Sequence, residues 1–104
     1  MALGTVGLLH PGEMGAAVGA VLRGQGVRVV WASEGRSEET RARAEAAGLE
    51  DAGSVVEVAR SDVVFSICPP HAALEVARSA EFAGVYVDAN AVSPATAREV
   101  AEAV

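Results

Sequence analysis

The chain contains no lysine: its eight basic residues are all arginines, against 14 aspartates and glutamates among 104 residues. The absence of lysine excludes, within this chain, a Schiff base, a lysine acting as general acid or base, and the phosphate-binding lysine of the Walker A motif. A formal net charge of −6 disfavours a broad contact with a phosphate backbone. We therefore expect no nucleic-acid partner.

Cysteine and long apolar runs are also scarce. The single cysteine, Cys68, cannot form an internal disulfide, and the two distant histidines show no zinc-ligand spacing with it, so we expect no metal site. Apolar runs stay well below the about 20 residues that a membrane-spanning helix needs, and no basic segment leads into a signal-like run. We expect a cytoplasmic protein that binds no membrane.

The apolar residues that are present suffice for one core. Hydrophobic residues make up 51% of the sequence, and the mean hydropathy is +0.30. This composition favours collapse over disorder. A length of 104 residues lies within the range of a single domain, so we expect one domain over residues 1–104.

Strand-like and helix-like segments alternate along the chain. Nearly continuous runs rich in Val and Ile are typical of strands buried on both faces of a parallel sheet. The predicted strands are Thr5 to Leu9, Val27 to Trp31, a brief one at Leu49 to Asp51, Val63 to Ile67, and Val85 to Val87. The predicted helices are Met14 to Leu22, Glu38 to Ala47, Ser54 to Arg60, Ala72 to Ala80, and Pro94 to Val104. Repeated βα units with right-handed crossovers predict a three-layer α/β/α fold with a doubly wound parallel sheet in the order 3-2-1-4-5.

Two serines mark the starts of predicted helices. Ser37 precedes two glutamates, and Ser93 precedes Pro94, which suits the first position of a helix. We predict both serines as N-caps.

The segment from Gly7 to Gly15 leaves the first strand, turns sharply and opens the first helix. Backbone N–H groups at the start of a helix bind an anion without any basic side chain. Gly12 lacks the Cβ that would obstruct a phosphate, and Gly15 lets the helix lie close to the sheet. The turn predicts a site for the pyrophosphate of a dinucleotide, although an ordinary tight strand-to-helix turn would use the same glycines.

This segment, Gly7-Leu8-Leu9-His10-Pro11-Gly12-Glu13-Met14-Gly15, resembles the start of the N-terminal NAD(P)-binding Rossmann domain of the 6-phosphogluconate dehydrogenase and β-hydroxyacid dehydrogenase superfamily. The family pattern reads G-F-I-G-L-G-x-M-G, and His10 replaces the first glycine of its fingerprint. Because a residue before proline favours extended backbone, we predict that His10 avoids a left-handed turn and that the loop is remodelled. His10 then either donates to a phosphate or substrate, or is a solvated or packing histidine.

Two later segments extend the resemblance over the whole chain. Ile67-Cys68-Pro69-Pro70 corresponds to the family segment that lines the nicotinamide, and Asp88-Ala89-Asn90-Ala91-Val92-Ser93-Pro94 to its substrate-holding D-x-S-T-x-x-P segment. The resemblance thus implies substrate binding by Asn90 and Ala91. It implies cofactor binding by His10, Pro11, Gly12, Glu13, Met14, Ser33, Glu34, Arg36, Ser37, Cys68, Pro69, Pro70 and Ala73. Read by itself, Met14 is instead a core contact of the first helix, and Cys68 a small buried apolar residue.

The end of the second strand bears on the choice of cofactor. NAD enzymes usually place an acid there to accept hydrogen bonds from the ribose 2′-hydroxyl, whereas an arginine nearby accommodates a 2′-phosphate. Ser33 occupies the acid position, and Ser33, Arg36 and Ser37 form a candidate phosphate cradle that favours NADP. Glu34 could hold a ribose hydroxyl, which keeps NAD as the alternative, and Arg36 could be an ordinary solvated arginine.

The resemblance implies the cofactor-binding domain of an oxidoreductase that transfers hydride to or from a hydroxy-acid-type substrate. The family's catalytic lysine and helical C-terminal substrate domain are absent from these 104 residues, so we expect dinucleotide binding without turnover and no catalytic residue in this chain. A stand-alone dinucleotide-binding sensor and an imine or pyrroline carboxylate reductase-like domain remain alternatives. Val85 to Val87 would form an apolar sheet edge, which predicts self-association or cover by the missing domain.

Overall fold

A computed structural model describes residues 4–68, 70–90 and 93–104 of the chain. In this part, strands and helices alternate as the sequence predicts. The strands are β1 (Thr5–Leu9), β2 (Arg28–Trp31), β3 (Glu50–Asp51), β4 (Val63–Ser66) and β5 (Val85–Asp88). The helices are α1 (Glu13–Gly24), α2 (Glu38–Ala46), α3 (Val55–Val58), α4 (Ala73–Ala77), which follows a 3₁₀ turn at Pro70–Ala72, and α5 (Pro94–Ala103).

All neighbouring strands of the sheet are parallel, and their order is β3-β2-β1-β4-β5. The predicted order and the predicted Rossmann-type α/β fold are therefore confirmed. In the central strand, Val6 lies opposite Val29 of β2 on one side and Val63 of β4 on the other. β1 is therefore the central strand: β2 and β3 extend the sheet on one side of it, and β4 and β5 extend it on the other.

The two faces of the sheet bury different side chains, because successive residues of a strand point to opposite faces. On one face, Val6, Leu8, Val29 and Trp31 pack beneath α1 and α2. On the other face, a cluster that includes Leu9, Val30 and Val64 packs beneath α3 and α4. Each such fully buried apolar side chain contributes roughly 1.5–3 kcal/mol relative to an exposed one.

Side-chain caps fix the starts of two helices where the sequence predicts them. The hydroxyl of Ser37 accepts the N–H of Thr40 at 3.2 Å, and that of Ser93 accepts the N–H of Thr96 at 3.2 Å. Such a cap stabilises a helix by about 1 kcal/mol. Both N-cap predictions are confirmed.

Some boundaries differ from the predicted ones for local hydrogen-bonding reasons. The second strand begins one residue late, because the N–H of Val27 turns back to the carbonyl of Leu22 in α1. Helix α4 ends at Ala77, before the predicted Ala80, and Ser79 donates its hydroxyl to the Val76 carbonyl at 2.6 Å just past this end. None of the described helices combines the length and the apolar composition that a membrane span requires.

Candidate functional site

A cleft opens at the carboxyl ends of β1 and β4, where the chain has built outward in opposite directions. In open α/β sheets this switch point is where ligands bind. The cleft has a volume of about 210 Å³. Its lining brings together three of the predicted site segments and consists of His10, Pro11, Gly12, Arg36, Thr40, Ile67 and Cys68.

The turn between β1 and α1 is tight. The N–H of Gly12 donates to the carbonyl of His10 at 2.7 Å, and the first helical bond runs from the N–H of Ala16 to the carbonyl of Gly12 at 2.9 Å. The amide of Gly12 is thus used within the turn. Among the described residues, no backbone or side-chain acceptor takes the N–H groups of residues 13–15, which open α1. Unpaired N–H groups at the positive end of a helix dipole are suited to an anion, so the predicted phosphate site at this turn stays a prediction.

Gly12 borders open space. A Cβ built on it would meet no atom within 4 Å, and its φ of −72° is one that any residue adopts. Neither packing nor backbone conformation therefore requires glycine at this position. The space lies beside the free N–H groups of α1, where the sequence predicts a phosphate.

His10 adopts a left-handed backbone conformation, with φ of 60°. The prediction that a histidine before Pro11 would avoid this conformation is therefore wrong. The conformation costs an L-residue roughly 1–2 kcal/mol. Two contacts offset the cost: the His10 carbonyl accepts the N–H of Gly12, and the imidazole Nδ1 lies 2.7 Å from Nη1 of Arg36.

The electrostatics of His10 follow from its surroundings. Burial lowers the pKa of its imidazole below the ordinary 6.5; the positive charge of Arg36 lowers it further, and Glu75 opposes the shift. Burial and the Arg36 charge therefore favour the neutral form of the imidazole. Because the guanidinium can only donate, Nδ1 accepts and the ring proton resides on Nε2. His10 thus accepts a hydrogen bond from Arg36 through Nδ1, while its Nε2–H is left as a donor.

The loop between β2 and α2 carries the predicted 2′-phosphate cradle. Arg36 lines the cleft, but the hydroxyl of Ser37 is committed to its cap: it accepts from the N–H of Thr40 and donates to Thr40 Oγ1 at 3.1 Å. The N–H of Ser33 donates to Asp51 at 3.3 Å, and Glu34 is exposed. Of the three residues of the predicted cradle, Arg36 alone lines the cleft in the part of the chain that the structure describes, and its contact with a phosphate stays a prediction.

Sequence reasoning missed two residues that hold the cleft loops. Asp51, at the end of β3, accepts N–H groups from Ser33 and from Gly53, the latter at 2.8 Å, and a hydrogen bond from the side chain of Ser33 is the main reason that its pKa is lowered. Arg43 of α2 donates to the Pro11 carbonyl at 3.5 Å as well as pairing with Glu39. Its Nη1 makes the contact to Pro11 and its Nη2 the contact to Glu39, so one guanidinium holds both partners.

The end of β4 is tied to the end of β5 by one amide. Asn90 accepts the N–H of Cys68 at 2.7 Å and donates to the hydroxyl of Ser66 at 3.1 Å. One lone pair and one N–H of its side chain remain, so substrate binding by Asn90 stays a prediction. Cys68 is half-buried and lines the cleft. The predicted site residues Pro69 and Ala91 lie outside the described residues, and the side chain of Pro70 does too.

Met14 and Ala73, two further predicted cofactor residues, lie in opposite environments. The side chain of Met14 is 68% exposed, so its interpretation as a core contact is wrong: α1 presents the small residues Gly15, Ala16 and Gly19 to the protein interior. Ala73 is fully buried in a cluster with Ala77 and Val100, so its methyl group packs within the protein, and cofactor binding by Ala73 stays a prediction. Glu13 is exposed at the first position of α1.

A family described as NADP oxidoreductase, coenzyme F420-dependent, matches residues 5–92. The chain belongs to this family. It carries an oxidoreductase-type NAD(P)-binding domain with the Rossmann fold that the resemblance implied. No curated protein sequence matches the chain.

Solved structures agree with the family. The structure of conserved protein MTH1747, of unknown function, is described as similar to 3-hydroxyacid dehydrogenases; it is 38% identical to this chain, with a TM-score of 0.90 over 95% of it. A conserved hypothetical protein from Sinorhizobium meliloti 1021 is 29% identical, with a TM-score of 0.86 over 97% of the chain. The chain spans 39% and 37% of the lengths of these two proteins.

Proposed function

We propose that this chain binds NADP in the cleft at the carboxyl ends of β1 and β4, as the cofactor-binding part of an oxidoreductase that acts on a small hydroxy acid. The observation that carries the proposal is the open space at Gly12, beside the unpaired N–H groups at the start of α1. A phosphate placed there would be bound by backbone and helix dipole without any lysine. The match to an NADP oxidoreductase family supports the same cofactor class.

Arg36 favours NADP over NAD. Its guanidinium lines the cleft on the loop that follows β2, where dinucleotide enzymes read the 2′ position of the adenosine ribose. Arg41, in the helix α2 that follows this loop, is already paired with Asp51 at 3.5 Å. Glu34, Glu38 and Glu39 add negative charge to this region, and these acids are the argument for NAD.

The substrate is the part of the proposal that depends most on relatives. The described similarity of MTH1747 to 3-hydroxyacid dehydrogenases supports a hydroxy acid, and the remaining donor and acceptor of Asn90 suit a carboxylate or hydroxyl. Since the chain spans about two fifths of that relative, we place the catalytic group and the helical substrate domain outside these 104 residues.

A titration with NADPH and NADH tests dinucleotide binding. The chain is expected to bind NADPH, and Gly12→Ala to weaken binding by at least about tenfold, because its methyl group would occupy the phosphate space. Gly24→Ala is the matched control: it makes the same change at the other end of α1, where a Cβ also meets no atom within 4 Å. No binding of either dinucleotide at millimolar concentration would overturn the proposal.

Arg36→Ala tests the choice between the two dinucleotides. We expect NADPH to bind about 10–100-fold more weakly to this variant, with NADH nearly unchanged, because a charge-assisted contact to phosphate is lost. Arg98→Ala, at an exposed position of α5, removes the same charge from a residue that does not line the cleft. A wild-type chain that prefers NADH would replace NADP by NAD.

The exposed edge of β5 supports a further part of the proposal, self-association. Val85 is 62% exposed, and in the described residues β5 pairs with β4 alone. A free apolar edge is a template for pairing with another strand. Light scattering of the purified chain is expected to show dimers or larger species, and a strict monomer across the concentration range would contradict this.

A further inference from the structure

His10 links two loops that meet at the cleft. It lies in the turn after β1, whereas Arg36 lies 26 residues further on in the loop after β2, and their side chains meet at 2.7 Å. The imidazole borders two clefts: the one of about 210 Å³ that contains Gly12 and Arg36, and another of about 240 Å³ that contains Glu75 of α4. Among the residues that line these clefts, Arg36 and Glu75 are the charged ones.

We propose that His10 is a positioning residue for recognition of the 2′-phosphate: its Nδ1 holds the Arg36 guanidinium at the cleft before the dinucleotide arrives. This inference rests on the proposed function. One N–H of the guanidinium is used on the imidazole, and the remaining N–H groups can still form a two-point contact with a phosphate. A flexible arginine that is already held loses less conformational freedom when the ligand binds.

The backbone of His10 supports this role. A left-handed conformation before proline is unfavourable for histidine and easily adopted by glycine, so the turn itself would be served better by glycine. Strained residues of this kind persist where the surrounding contacts determine them, and they cluster at binding sites. The contact that glycine could not make here is the one to Arg36.

Two substitutions separate the side-chain contact from the backbone conformation. His10→Gly keeps the left-handed turn and removes the acceptor. His10→Asn also tolerates that turn, and its amide oxygen can accept from Arg36. Both variants are compatible with the fold, so circular dichroism and thermal unfolding are expected to show folded protein in each case.

The measured quantity is the ratio of the dissociation constants for NADH and NADPH. We expect His10→Gly to lower this ratio about tenfold and His10→Asn to keep it within about twofold. In an Arg36→Ala background, His10→Gly is expected to change the ratio no further, because the arginine that it positions is gone. Nitrogen-15 NMR of the free protein is expected to show the His10 proton on Nε2.

The outcomes that contradict the inference differ from those that contradict the proposed function. If the chain prefers NADPH and His10→Gly keeps that preference, or lowers it equally without Arg36, the positioning role fails and the proposed function stands. If His10→Asn behaves like His10→Gly, acceptance of the Arg36 hydrogen bond is not what matters. If the unaltered chain binds neither dinucleotide, the proposed function fails and the positioning role fails with it.

Discussion

Gly19 and Gly12 lie on the same βα unit, seven positions apart, yet their surroundings are opposite. The space that a side chain would occupy is filled at Gly19 and open at Gly12. A Cβ on Gly19 would lie 2.6 Å from Cδ2 of Leu49 and 2.8 Å from Cδ1 of Leu8, whereas a Cβ on Gly12 would meet nothing within 4 Å. The packed part of α1 needs glycine to let the helix lie on the sheet. The open turn needs glycine only if something outside the chain comes to occupy the space. A substitution at Gly19 should therefore lower the free energy of unfolding, whereas a substitution at Gly12 should weaken dinucleotide binding.

The largest effect is expected at a third glycine, where the obstacle is backbone. A Cβ on Gly84, just before β5, would collide with the carbonyl group of Asp62. Because backbone cannot rotate away as a side chain does, Gly84→Ala should destabilise the fold by about 3 kcal/mol, the upper part of the range for overpacking. Thermal unfolding should show a melting temperature lower by roughly 10–20 °C. A change of less than about 3 °C would show that β5 shifts freely.

A smaller loss of stability is expected for Gly19→Ala. The leucine side chains that its methyl group would meet can adjust, and alanine favours a helix over glycine by about 1 kcal/mol. Overpacking costs typically 1–3 kcal/mol, so the net loss should be about 1 kcal/mol. Urea unfolding measures it, with Gly24→Ala as the control that gains helix propensity without a clash. A stabilised Gly19→Ala variant would mean that the packed region is not tight.

The open turn should also respond to pH. The folded protein holds the pKa of His10 below 6.5, so the unfolded chain takes up this proton first as the pH falls. The associated stability is fully present above pH 6.5 and is lost as the pH falls toward the folded-state pKa. Arg36 of the β2–α2 loop strengthens the effect, and Glu75 of α4 weakens it.

Unfolding free energies measured between pH 7 and pH 5 test this dependence. His10→Asn is expected to reduce the slope with pH, and His71→Asn, at the exposed histidine, is the matched control. An unchanged slope in His10→Asn would show that the turn does not disfavour the charged imidazole.

The smallest effect on stability is expected for Gly12→Ala. Because its methyl group meets no atom, its free energy of unfolding should stay within about 0.5 kcal/mol of that of the unaltered chain, the usual range for surface changes. This near-zero result, set beside weakened NADPH binding, would sharpen the contrast with Gly19. A variant that loses both stability and binding would remove the contrast.

Much of the fold could be predicted because local patterns and topology agree. Valine-rich runs gave the strands, Ser37 and Ser93 gave the helix starts, and the handedness of crossovers gave the sheet order. The turn at Gly12 was predicted from its glycines and its place after β1. Met14 was interpreted wrongly because its helical spacing does not show that neighbouring small residues already fill the contact with the sheet.

The contacts of the candidate site were harder to predict, since they join residues far apart in the chain. The pairing of His10 with Arg36 depends on a backbone conformation that local preference opposes, and it forms because β1 and β2 lie side by side in the sheet. Arg43 reaches the Pro11 carbonyl only because α2 packs beside the turn. The side chain of Asn90 already forms hydrogen bonds within the protein, because β4 and β5 end at the same edge of the sheet.

The sequence by itself determined the alternation of strands and helices, the doubly wound sheet and the glycine turn, because each depends on residue type and short-range spacing. Its composition alone also excluded any chemistry of lysine within these residues. Only the tertiary structure decided that Gly12 faces open space while Gly19 faces leucines, and that His10 takes a left-handed backbone conformation before a proline. Both depend on which distant atoms lie within a few ångströms, and the packing of the sheet and helices sets those distances.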